Sequence, residues 1–128
     1  MLRARPRPAP PRAAAARPAG EPATRIVVRQ GPRVHVIQAE KLDYAEAQDD
    51  YVSLHAEGKS YLKQQTLTDL ERQLDPSRFV RVHRSYLLNL ERLARIETES
   101  GEPKAVLLAD GTRLPLSRSG YGRLKGML

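Results

Sequence analysis

Between residues 25 and 116 short runs of β-branched and large apolar residues recur, separated by turn-forming dipeptides, a pattern that reads as a series of short strands. The runs fall at 25–28, 33–38, 42–47, 51–56, 61–64, 79–82, 86–89, 93–98, 105–108 and 113–116. Gly31-Pro32, Glu57-Gly58, Gly101 with Pro103, and Asp110-Gly111 stand between them. Asp-Gly accommodates the positive φ angles of a tight hairpin, so 105–116 is expected to be one. Helical spacing appears twice. Leu67, Leu70 and Leu74 share a helix face, Thr68 with Glu71 and Thr66 with Asp69 make overlapping capping boxes, and Pro76 ends the segment, which predicts one short helix over 67–74. A second helix begins near Ser117 or Ser119 and places Tyr121, Leu124 and Leu128 on one face, with Arg123 and Lys125 near the negative end of its dipole. Gly120, Gly122 and Gly126 weaken it. The fold class is mainly β, with one short helix and a short C-terminal helix.

The chain has 128 residues, 40% of them apolar, with one Phe and no Trp, so one modest core of Leu, Val, Ile, Ala and Tyr is expected. Residues 1–20 depart from this pattern: they hold five prolines, seven alanines and five arginines and no acid. Such a mixture cannot bury enough apolar surface to offset its ordering entropy, and residues 1–22 are read as a disordered Pro/Ala/Arg tail or linker, with a folded domain over 23–128. Its prolines argue against the amphipathic helix of a transit peptide. The longest apolar run in that segment is Ala13 to Ala16, and no stretch reaches the length of a membrane span, so a cytoplasmic protein that does not enter membranes is expected.

The net charge is +7, of which the tail supplies five units. The remaining excess is concentrated at 72–95 and 111–128, two basic segments that point to nucleic acid or another anionic partner. Catalysis finds little support. Cys is absent, which removes zinc fingers, thiol nucleophiles and disulfides. His35, His55 and His83 stand alone without metal-ligand spacing, and no phosphate-cradling glycine loop or nucleophile elbow is present, so no enzyme, metal or cofactor is expected.

Two segments carry candidate chemistry. In 79–89 Arg81 and Arg84 present forked guanidinium donors beside Ser85, the set that phosphates and guanine edges accept. On spacing alone these arginines are either contacts or solvated, while His83 and Asn89 are better read as satisfying nearby backbone groups. In 114–118 Ser117 is a possible N-cap and Arg118 projects from a strand-to-helix corner, either as an anion contact or paired with an acid.

The segments F-V-R-V-H-R-S-Y-L-L-N (79–89), L-D-Y-A-E-A-Q-D-D-Y-V (42–52), T-L-T-D-L-E-R-Q-L (66–74) and L-P-L-S-R (114–118) occur in that order. Together they resemble the LytTR DNA-binding domain of the LytR/AlgR group of bacterial response regulators, over about residues 25–128. The resemblance implies an elongated, mostly antiparallel β fold that reads successive major grooves through loops at strand ends. It matches Arg84 and Arg118 to DNA contacts and the loop of Gln48, Asp49, Asp50 and Tyr51 to a third contacting loop. It also implies a receiver or sensor module and, as a homodimer, binding to direct repeats. A sequence-specific, double-stranded DNA-binding transcription regulator is therefore expected, with Arg81 and Arg123 placed on the DNA backbone and His83, Ser85 and Ser117 beside them. Its rivals are a regulatory protein-interaction module with a basic tether, and an RNA binder, which would need an aromatic stacking platform that one Phe and scattered Tyr do not make.

Overall fold

The computed structural model describes residues 21–128. The tail expected over 1–22 lies outside the described residues except for Glu21 and Pro22. In chain order the elements are β1 (Arg25–Gln30), β2 (Arg33–Gln38), β3 (Leu42–Gln48), β4 (Tyr51–Ala56), β5 (Lys59–Gln64), α1 (Leu67–Gln73), β6 (Phe79–His83), β7 (Tyr86–Asn89), β8 (Leu93–Glu99), β9 (Glu102–Leu108), β10 (Arg113–Pro115) and α2 (Arg118–Lys125). All ten expected strands form, in three antiparallel sheets: β1-β2, β10-β9-β8, and a central sheet ordered β5-β4-β3-β7-β6.

The central sheet is covered on both faces over β3, β7 and β6, and the alternation of its strands sorts residues into two cores. Ala45, Val52, Leu54, Ala56 and Leu87 point to one face, where Ile26, Val28 and Ile37 of the β1-β2 hairpin and Leu67, Leu70 and Leu74 of the α1 segment cover them. Val80, Val82 and Leu88 point to the other, against Val106, Leu108, Leu114, Leu116 and Leu124. The single core expected from length is thus two thin ones, divided by the central sheet. No helix among the described residues is long and apolar enough to cross a membrane.

The hairpin ends differ from expectation in instructive ways. Strands run further into the 100–101 turn than expected because Ser100 and Gly101 both take positive φ, the geometry of a type I′ turn, which lets Thr98 face Pro103. Pro103 is tolerated in β9 because β10 pairs only with residues 105–107 and asks nothing of the proline nitrogen. In the 105–116 hairpin only Gly111 has positive φ; Asp110 instead accepts the Thr112 N–H at 2.9 Å. The turn is therefore wider than the two-residue one that Asp-Gly suggests. At α1 the N-cap is Thr66, which accepts from Asp69 N–H at 3.0 Å, and Glu71 is left for another partner. At α2 the N-cap is Ser117, and the helix stops at Lys125, leaving Leu128 exposed.

Gly120 joins α2 to β6. A Cβ at this position would lie 2.0 Å from the Val82 carbonyl oxygen, so only glycine permits the approach. Gly120→Ala is expected to cost stability at or above the upper end of about 1–3 kcal/mol, read by urea denaturation.

His55 stacks on Tyr44 with centroids 4.2 Å apart, and its Nε2 lies 3.1 Å from Ser53 Oγ. Burial lowers its pKa below the ordinary 6.5 against the opposing pull of Glu46 and Asp43. Just below that ordinary value the unfolded chain binds a proton that the folded one refuses, so this contribution is complete above it and is lost as pH falls. Stability measured at about pH 7.5 and about pH 5.5 is expected to fall less in His55→Gln than in the parent.

Candidate nucleic-acid interface

Three segments meet at one end of the central sheet. β3 pairs Glu46 with Tyr86 of β7, and Ala47 N–H donates to the Ser85 carbonyl at 2.9 Å, so the β3–β4 turn and the β6–β7 turn lie at the same end. Ser117 N–H donates to the Val82 carbonyl at 2.9 Å, and its hydroxyl donates to the same oxygen at 3.3 Å. The first turn of α2 is therefore fixed beside the end of β6. Ser117 Oγ also caps the helix by accepting from Gly120 N–H at 3.0 Å.

The β6–β7 turn is held from behind. His83 Nδ1 accepts the Ser85 N–H at 3.1 Å, which leaves Nε2 to carry the proton of the neutral ring, and the ring meets Tyr86 edge-on. Tyr86 donates its hydroxyl to Glu46 at 3.0 Å; burial, and then that carboxylate, raise its pKa, so it remains a donor. Asn89, buried, donates to the Leu42 carbonyl at 2.8 Å and accepts from Glu91 N–H at 3.0 Å. His83 thus satisfies a local backbone group, and Asn89 satisfies a local one at Glu91 and a distant one at Leu42, the structural roles that the sequence favours.

The four arginines differ sharply. Arg81 Nε donates to the His83 carbonyl at 3.1 Å, Nη1 pairs with Glu71 at 2.9 Å, and Nη2 donates to the Arg84 carbonyl. Only 16% of its side chain is exposed. Its fork faces the protein and braces the turn. Arg84, at the tip, is exposed, and among the described residues its side chain makes no hydrogen bond or ion pair. Arg118 is 83% exposed and pairs with Glu102 at 2.8 Å, the acid partner that spacing left open. A pair so exposed contributes little and exchanges readily for a stronger anion. Arg123 donates to the Arg81 carbonyl at 3.2 Å from an exposed position on α2. Arg84, Ser117, Ser119 and Arg123, with Glu71, Arg81 and His83, line an open cleft of about 460 Å³.

Gln48, Asp49, Asp50 and Tyr51 are all exposed at the β3–β4 turn, with Asp49 at φ 54°. An aspartate tolerates that left-handed geometry better than most residues.

The family model described as LytTr DNA-binding domain matches residues 32–128. The chain belongs to the LytTr DNA-binding domain family. Among solved structures, a LytTr DNA-binding domain from Bacillus cereus superimposes with a TM-score of 0.74 at 21% identity, covering 82% of this chain and 96% of that one, which establishes the shared fold. Sensory transduction protein LytT of Bacillus subtilis (strain 168) is 28% identical over 104 residues, 81% of this chain and 43% of that protein. The CO-responsive transcriptional regulator RcoM of Rhodospirillum rubrum is 38% identical over 87 residues, 66% of this chain and 36% of that protein. The chain spans less than half the length of these relatives.

The LytTr segment 79–89 thus supplies both a tip residue and the frame that holds it. Glu71 was missed as part of that frame, because its spacing from Thr68 reads as a capping box and nothing in sequence links it to Arg81. Replacing Arg81 with Met removes a charge-assisted bond and two bonds to the turn's carbonyls. A loss of about 1–3 kcal/mol is expected in urea denaturation, with faster amide exchange at Ser85.

Proposed function

We propose that this LytTr domain binds double-stranded DNA in a sequence-dependent manner, as the reading module of a bacterial transcription regulator. The observation that carries the proposal is the convergence of the β3–β4 turn, the β6–β7 turn and the first turn of α2 at one end of the sheet, with Arg84 unpaired at the middle tip. Turns braced by backbone bonds present side chains with little further ordering cost, which suits the reading of base edges.

In this reading Arg84 and Arg118 enter the major groove, where a guanidinium fork matches guanine O6 and N7. Arg118 exchanges Glu102 for the DNA. Arg123, Ser85 and Ser117 contact phosphates, and the α2 N-terminus adds its own positive end. Gln48 and Tyr51 flank Asp49 and Asp50, whose carboxylates accept from cytosine N4. His83 offers its Nε2 proton while Nδ1 keeps the turn, and Arg81 serves the interface from behind by holding the Arg84 carbonyl. The module is a binder and not a catalyst, works in the cytoplasm, and takes its signal from a receiver or sensor module. Two copies on direct repeats complete the reading.

A protein-interaction module is the second reading, favoured by Val34 and Val36, which stand 58% and 55% exposed on the outer face of the β1-β2 hairpin. One titration separates them. With a duplex of about 30 bp selected by the parent protein from a random pool, Arg84→Ala and Arg118→Ala are each expected to lose about 1–3 kcal/mol of binding and to relax preference at one base pair. Equal losses on selected and random DNA would reassign both arginines to phosphate, and no loss on either would favour the protein-interaction reading.

A further inference from the structure

The three converging segments account for β6, β7, β3 and β4, yet the sheet continues beyond them. Tyr51 pairs with Gln64, so the C-terminal end of β5 reaches the same end of the sheet. β1, of the separate β1-β2 sheet, packs close to β5: Lys63 Nζ donates to the Val27 carbonyl at 2.7 Å. Two residues further along β1, Arg29 joins Lys63, Gln64 and Tyr51 around an open groove of about 520 Å³. Among the described residues neither Arg29 nor Lys63 forms an ion pair.

Resting on the DNA-binding reading, we propose that Arg29 and Lys63 form a fourth contact, a phosphate site that grips the sugar-phosphate backbone bordering the groove entered by Asp49 and Asp50. Position supports it first. Tyr51, which follows directly on the β3–β4 turn, lines the same groove as Arg29 and Lys63, so the two cations stand beside that turn. A turn inside the major groove has phosphates on either side of it, and cations beside the turn face that phosphate wall. Charge supports it second. Asp49 and Asp50 bring two carboxylates towards a polyanion, and this flank holds two cations without a protein counter-ion. Burial first, and then the nearby Arg29 charge, lower the Lys63 pKa, and a phosphate between the two cations would offset the second of these. The chemistry fits as well: a guanidinium fork beside an ammonium, with the Gln64 amide and the Tyr51 hydroxyl near, is a set of donors for phosphate oxygens.

The test is the salt dependence of binding by fluorescence anisotropy, using the full chain with the selected duplex and with a random duplex of the same length. Each phosphate contact contributes about 0.9 to the slope of log affinity against log salt. Arg29→Gln is expected to lower the magnitude of that slope by about 0.9, and the double variant with Lys63→Gln by about 1.8, on both duplexes and with base preference retained. The arginines of the first twenty residues are common to all variants and cancel in the difference. Because the Arg29 side chain is exposed and makes no bond, the single variant reads the site even if loss of the Lys63 bond loosens the hairpin, and thermal melting of both variants monitors that. An unchanged slope in Arg29→Gln, while Arg84→Ala and Arg118→Ala weaken binding, would overturn the fourth contact and leave the DNA-binding reading standing. Indifference to all four substitutions would overturn both.

Discussion

The Val82 carbonyl ties the second core to the end of the central sheet where the turns converge. It accepts both the backbone N–H and the hydroxyl of Ser117, and the bare Cα of Gly120 sits against it. The same strand ends at His83, directly before Arg84, so the bonds that dock α2 also fix the distance between the two tips. A side chain at 120 would force the helix away from β6, expose Leu124 and separate the Arg118 tip from the Arg84 tip. Packing and interface are one constraint here, because the helix that covers a core also begins at the surface that is presented.

The second organising feature is the unequal use of identical side chains. Arg81 and Arg84 are three residues apart, yet one directs its donors inward to Glu71 and two carbonyls and the other has none of these partners. Strand alternation sends Arg81 to the α1 face, where an acid waits, while Arg84 occupies the turn, where no face is covered. Ion pairing then grades the remainder: Arg118 is engaged by an exposed acid that a polyanion can displace, and Arg123 is tethered only to a carbonyl. A partly buried pair such as Arg81–Glu71 is costly to break from one side, since the remaining charge loses its partner in a poorly hydrated place.

Much of the fold was legible because local rules and tertiary packing agreed. The alternation in β1 to β10 gave every strand, and the Thr66 and Ser117 caps gave both helix starts to within a residue or two. The errors were at edges. Strand limits around 100–101 and the width of the 108–112 turn depend on which residues take positive φ, and Asp-Gly permits more than one solution. The family was legible too, through the 79–89 segment, as were His83 and Asn89 as local structural groups. Illegible were Glu71 as the partner of Arg81, Glu102 as the partner of Arg118, and the nearness of Arg29 to Lys63. Each joins side chains of two different elements, and the periodicity within an element does not record a contact between elements.

The amino-acid sequence by itself determined the number and positions of the strands, the helix caps, the basic excess and membership of a DNA-binding family, because these follow from short-range patterns that a chain carries wherever it folds. Tertiary structure alone decided which arginines are available. A guanidinium is a brace or a probe according to whether an acid and a pair of carbonyls lie within about 3 Å of it. That distance is set by how α1 packs beside β6 and α2 beside β9, and by a glycine whose missing Cβ lets α2 approach β6.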